Sequence, residues 1–123
     1  MHRIVPSDPA TLGRCGEELA ARYLRRQGMW LLERNWSCAW GELDLLARWG
    51  AVLVAVEVKT RTGVRFGNPE TAVDAAKLQR IRAAAGRWME MQGRPFARLR
   101  VDVLAVVVQP DGRWWLRHHR AVG

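Results

Sequence analysis

Two short stretches of the chain combine acidic and basic residues at a spacing that chemistry could use. They are Gly41-Glu42-Leu43-Asp44 and Val56-Glu57-Val58-Lys59-Thr60-Arg61. Val52, Val54, Val56 and Val58 alternate through the second, which predicts a strand from Ala51 to Arg61. Glu57 and Lys59 then share one face, about 7 Å apart along the chain. The valines take the other face, which must be core, so a sheet with one buried and one charged side is expected. Gly41 to Trp49 predicts the preceding strand, with a turn around Gly50. An even-length turn puts Asp44 on the face of Glu57, opposite it or one pair removed. An odd-length turn would send Asp44 among the valines. Burying a carboxylate there is costly, so the even turn is expected.

Two carboxylates at cross-strand distance repel each other. A hard divalent ion such as Mg²⁺ or Mn²⁺ removes that penalty, because it prefers oxygen ligands. Lys59 is cationic and cannot be a ligand, but it could orient a water or stabilise charge building on a phosphoryl oxygen. Asp44, Glu57 and Lys59 around a metal are therefore the parts that phosphodiester hydrolysis needs. The same residues also fit a plain salt-bridge ladder, with Asp44 as third member, and spacing alone does not separate the two.

The elements that must position these residues are legible in outline. Asp8-Pro9 reads as a helix start, since Asp accepts from an orphan N–H and Pro fits the first turn. Leu12, Cys15, Leu19, Tyr23 and Leu24 give that helix one apolar face, and Gly28 ends it. Met29 to Glu33 predicts a short strand before the two described above. Asn68-Pro69 predicts a second helix start, with the segment running to Met91 and a break near Val73 to Asp74. Val73, Leu78, Ile81, Ala85 and Trp88 lie on or near one face of it, and Gly93 and Pro95 stop it. Arg98 to Val108 and Arg113 to His119 predict two last strands around the turn Pro110-Asp111-Gly112. The order α-β-β-β-α-β-β predicts an α/β fold with a mixed central sheet flanked by helices.

With 123 residues, 49% of them apolar and 26% charged, the chain suits one folded domain. Residues 1–8 are expected as a flexible N-terminal tail and 9–123 as the single domain. The apolar runs, such as Ala51 to Val56, are far shorter than the about 20 residues of a membrane span. Met1 to Pro9 lacks a secretory apolar core, so a cytoplasmic location is expected. Cys15 and Cys38 form no CxxC, and no histidine stands at metal-ligand spacing, so neither a structural zinc site nor a disulfide is expected. Twenty Lys plus Arg against twelve Asp plus Glu give a net charge of +8. A chain this basic is drawn to polyanions, nucleic acid or an anionic membrane. Glu17 and Glu18 interrupt the first helix's basic residues and speak against the membrane. No Gly-rich loop of Walker type is present, which excludes that class of nucleotide-binding enzyme.

Taken together, Gly16-Glu17, GELD at 41–44, VEVKTR at 56–61, Lys77 and Arg100-Val101-Asp102 resemble the YraN-like family of small bacterial proteins. That family is assigned to the restriction-endonuclease-like, or PD-(D/E)xK, nuclease superfamily, and is similar in outline to archaeal Holliday-junction resolvases. The resemblance runs from about Gly13 to His119. It implies a restriction-endonuclease-like fold, with Asp44 and Glu57 as metal ligands, Lys59 as catalytic lysine and Glu17 as the helix-borne glutamate that completes the site. Glu42 stands at the family's GE position, beside Asp44. Ser37 and Cys38 depart from the pattern where relatives often carry a basic residue, and Ala55 where they often carry Phe.

The resulting expectation is a Mg²⁺- or Mn²⁺-dependent endonuclease, a phosphodiester hydrolase acting on DNA, with branched or junction DNA among its substrates. Two cut points on a junction suggest a homodimer. The alternative is a non-catalytic nucleic-acid-binding module acting with a partner protein. Arg61, Arg65, Lys77 and Arg80 are candidates for backbone phosphate contacts. Trp88 is expected in the core. Trp36, Trp40 and Trp49 could stack on unpaired bases or simply pack. Trp114 and Trp115 must point to opposite faces of a strand, and Asp102 is read as structural support near the site.

Overall fold

A computed structural model describes residues 8–62 and 73–123. Helix α1 spans Pro9–Arg26, strand β1 Trp30–Cys38, β2 Gly41–Trp49, β3 Val52–Thr62, helix α2 Ala75–Gln92, β4 Arg98–Val108 and β5 Trp114–His119. The expected element order is the observed one. All strands form one mixed sheet in the order β1-β2-β3-β4-β5. β1, β2 and β3 form an antiparallel meander, β3 and β4 are parallel, and β5 returns antiparallel to β4. A parallel pair needs a crossover, and α2 supplies it.

Local chemistry sets the helix ends. Asp8 caps α1 by accepting from Thr11 N at 3.0 Å, with Pro9 in the first turn. The cap belongs to the helix, so Asp8 is structured; the rest of the expected tail, residues 1–7, lies outside the described residues. The proposed start at Asn68-Pro69 also lies outside them. The described helix begins at the expected break: Asp74 caps it, accepting from Lys77 N at 2.8 Å.

Alternate residues of β3 serve different helices, because successive side chains of a strand point to opposite faces. Val54 and Val56 pack with Ala20, Ala21 and Leu24 of α1. Leu53 and Ala55 pack with Ile81, Ala84, Ala85 and Trp88 of α2. This corrects the expected division into a buried and a charged side. Central β3 is covered on both faces, and every residue from Leu53 to Glu57 is buried. Charge is confined to the far end of the strand.

The two-residue turn Gly50–Ala51 is even, as expected. Leu45 pairs with Val56 and Trp49 with Val52. Gly50 has φ +60°, where a side chain would be strained. β1 is longer than the short strand expected at Met29 to Glu33. Among the described residues it is an edge strand that pairs with β2 alone, and most of its residues are half-buried or exposed. Arg34-Asn35-Trp36-Ser37 therefore shows no apolar alternation to announce it.

Candidate functional site

The ladder between β2 and β3 is paired from Trp49 to Leu45, and the next step along it brings Asp44 beside Glu57. There the Asp44 carboxylate accepts a hydrogen bond from the backbone N–H of Val58, Oδ2 to N 2.9 Å. Asp44 and Glu57 line one cavity of about 280 Å³ with Gly41, Glu42, Lys77, Arg80 and Ile81. A second cavity, of about 600 Å³, opens beside α1 and is lined by Glu17, Lys59, Thr60 and Arg61, with Leu12 and Gly13 among its apolar wall. The end of β3 thus stands between two cavities.

Glu57 is the centre of charge. Only 6% of it is exposed. Its Oε1 faces Lys77 Nζ at 2.5 Å and Lys59 Nζ at 3.4 Å. Among the described residues no ion pair reaches Asp44, although the charge of Lys77 acts on it from a distance. Burial, then the adjacent negative charge of Glu57, push its carboxyl up to about 7, against the lowering effect of the Val58 N–H; the charge of Glu17 adds to the rise. Lys59 is held below the ordinary lysine value by burial and by Lys77, partly offset by Glu57. Lys77 moves the other way: burial would lower it, but its contact with Glu57 outweighs this. The site therefore combines a carboxyl on β2 that resists ionisation with an amine on β3 that gives up its proton more readily than usual, both next to Glu57.

The expected residues are distributed as follows. Asp44, Glu57, Lys77 and Arg80 share the smaller cavity, with the exposed Glu42 at its wall. Lys59 joins them through its ion pair with Glu57. Glu17 lies on the other side, in the larger cavity with Arg61. Among the described residues no three acidic, histidine or cysteine side chains come together as a metal-holding group. As placed, Glu17 acts on Asp44 by charge from a distance and does not join the carboxylate pair. Arg65 lies outside the described residues. Arg61 is exposed, its guanidinium donating to the Thr60 carbonyl.

The sequence alignments agree with the resemblance carried by these motifs. Residues 16–106 match the family model described as "Uncharacterised protein family UPF0102". The chain belongs to the UPF0102 family. It is 48% identical over 115 residues to a UPF0102 protein of Nocardia farcinica, covering 94% of this chain and 91% of that one. A UPF0102 protein of a Nocardioides species is 46% identical, covering 91% and 90%. A further UPF0102 protein, of Rhodococcus jostii, is 48% identical, covering 89% and 92%.

Two features of this UPF0102 chain were not anticipated. The first is the position of Lys77. Its place on the first turn of α2 suggested a solvent-facing phosphate contact, whereas its ammonium sits on Glu57. The second is a buried polar network on the α1 side of β4. Asp102 is fully buried and accepts from Arg100 Nε at 2.9 Å and Nη2 at 3.0 Å, and from the N–H of Ala121 at 3.0 Å. His118 Nε2 lies 2.8 Å from Asp102 Oδ2, and its Nδ1 lies 2.9 Å from the hydroxyl of Tyr23. Burial raises the Asp102 carboxyl, but hydrogen bonds from His118, Arg100 and Ala121 outweigh this and hold it below the ordinary value. The network ties α1, β4, β5 and the segment after β5 together. Asp102 is structural support, as expected, yet it lines neither cavity. The spacing of Arg100 and Asp102, two apart on a strand, was the signal that could have found their pair.

The tryptophans divide as packing demands. Trp88 is core, Trp36 packs against the α2 cluster, and Trp40 and Trp49 are exposed. Trp49 is covered in part by Arg100, 5.3 Å from its ring centre. Trp114 packs inward with Leu12 and Val106, while Trp115 faces outward. Among the described residues no helix is long and apolar enough to cross a membrane.

Proposed function

We propose that this UPF0102 protein is a divalent-metal-dependent nuclease of restriction-endonuclease-like architecture that hydrolyses phosphodiester bonds in DNA, branched or junction DNA included. One observation carries the reading. The chain has 20 basic residues, of which only Lys59 and Lys77 are lysines, and both converge on Glu57 beside Asp44. Where only positive charge is needed this chain uses arginine. A lysine differs in being able to release its proton when buried, which is what chemistry asks of it.

The donor set fits a hard cation. Two adjacent carboxylates, one of them resisting ionisation because of its burial and then the charge of the other, offer the oxygens that Mg²⁺ or Mn²⁺ takes from one or two acidic residues. Asp44 and Glu57 would hold it, and Glu17 would add negative potential. When bound, such an ion supplies neutralisation of the phosphate and activation of the attacking water. The chain's own residues do the rest. The Val58 N–H fixes the Asp44 carboxylate in place. Lys59, with its lowered proton affinity, holds or passes a proton beside the scissile phosphate. Arg80 and Arg61, one in each cavity, are the cations available to flanking phosphates. The antiparallel meander, the crossover helix and a carboxylate pair at the β2–β3 junction are in keeping with the nuclease superfamily. A cytoplasmic location would give access to chromosomal DNA, and two symmetric cuts in a junction would need two copies of the chain.

The test is incubation with labelled linear, single-stranded and four-way-junction DNA plus Mg²⁺ or Mn²⁺. Metal-dependent cleavage should fall by at least about a hundredfold in Asp44→Asn and Lys59→Ala. Binding should weaken steeply with salt, with a slope reduced by about one in Arg80→Ala. Cleavage that is absent, or unchanged in both site variants, would sink the catalytic reading. One observation favours the second reading, a binding module acting with a partner: Glu57 is already neutralised by lysine. Salt-sensitive binding indifferent to metal would be its signature.

A further inference from the structure

We propose that Lys77 is a displaceable internal counter-ion, which occupies the Glu57 carboxylate until a divalent cation takes its place. The inference rests on the reading of Asp44 and Glu57 as the metal-binding pair, and goes beyond it by giving the site two alternative states. Glu57 is almost fully buried, so water cannot serve as its counter-charge. A buried carboxylate left unpaired is strongly destabilising, so its ionised form needs a cation beside it. Lys77 and Lys59 both approach the same oxygen, Oε1, and Lys77 is the nearer by 0.9 Å (3.4 against 2.5 Å).

A divalent ion binds a carboxylate oxygen at about 2.0–2.1 Å for Mg²⁺, closer than an ammonium can. A divalent ion at that distance repels the ammonium of Lys77 more strongly than Lys59, 3.4 Å from the same oxygen, does, so metal and Lys77 are alternatives. With Asp44 ionised, Asp44, Glu57, Lys59 and Lys77 together sum to zero charge, and a divalent ion added without displacement would leave the ammonium pressed against it. Lys77 is built to yield. Its backbone is pinned by the Asp74 cap, so only the side chain has to move. It is half-exposed and borders the cavity that also holds Arg80. A guanidinium fork would grip the carboxylate in two bonds, whereas a single ammonium on a flexible stem can leave. This accounts for a lysine at 77 in a chain whose other basic residues, Lys59 apart, are arginines.

The experiment titrates Mn²⁺ into the full-length protein by calorimetry, without DNA. Lys77→Met should bind Mn²⁺ about tenfold more tightly than wild type, because the competing charge is gone. Arg82→Met loses the same charge from a residue whose guanidinium lies against the Gly123 carbonyl, and should stay within about twofold of wild type. Lys77→Gln repeats the measurement should the Met variant melt early. A lysine variant no tighter than Arg82→Met overturns the displacement proposal and leaves the metal reading standing. No Mn²⁺ binding by wild type or by either lysine variant overturns the metal reading itself, and this proposal with it.

Discussion

Replacing Asp44 by Asn should stabilise this protein in the absence of metal. The Asp44 carboxyl titrates at about 7 in the folded chain, against about 3.9 in an unfolded one. Its folded form therefore binds the extra proton, and stability falls as pH rises between those two values. Three pKa units at 1.36 kcal/mol each set a ceiling of about 4 kcal/mol, complete above about pH 7. Partial exposure and rearrangement reduce this, so about 2–4 kcal/mol is expected at pH 8. Asn keeps an oxygen for the Val58 N–H and removes the charge that Glu57 opposes. In a chain of 123 residues the gain corresponds to a rise in Tm of roughly 10 °C. The assay is thermal and urea unfolding followed by tryptophan fluorescence, in chelator, at pH 8, 5 and 4. The difference between variant and wild type should shrink to about 1.5 kcal/mol at pH 5 and nearly vanish at pH 4. Added Mg²⁺ should raise the melting temperature of wild type and leave the variant unmoved. A variant no more stable than wild type at pH 8, or a gap that ignores pH, would refute the argument that burial and the charge of Glu57 oppose the ionised Asp44 carboxylate in the folded chain.

Two other substitutions test the frame that holds the site. Asp102→Asn should cost about 3–5 kcal/mol, since it turns an NH₂ group toward donors that were paired and leaves buried Arg100 without its counter-charge; urea unfolding measures it, and a loss below 1 kcal/mol would show the network to be dispensable. Gly16→Ala places a Cβ 2.0 Å from Thr60 Oγ1, so Thr60 must turn or α1 must shift from the end of β3, at a cost of about 1–3 kcal/mol; thermal stability and DNA cleavage should both decline, while Gly13→Ala, with open space around its Cβ, should change neither.

The parts of this protein that follow from short-range rules were legible in the residues themselves. Strand period two, the even turn at Gly50 and the cost of burying a carboxylate among valines were enough to set Asp44 beside Glu57 before any coordinates. Asp8 could be named as a helix cap because a cap is satisfied by residues three places away, and a break could be placed near Val73 to Asp74, where Asp74 caps the described helix. The family motif was carried by the same local stretches. What depended on folding in three dimensions was the surroundings of Glu57. Its face of the sheet is dry because Ile81, Ala84, Ala85 and Trp88 must bury their own apolar surface, and that drives α2 onto β3. The same packing delivers Lys77 to Glu57 and leaves Glu17 across the strand with α1. Tyr23, Asp102 and His118, remote in the chain, meet only because one helix and two strands close on one interior. Side-chain periodicity reports which way a residue points, but the neighbour it meets there is chosen by how whole elements hide their hydrophobic faces.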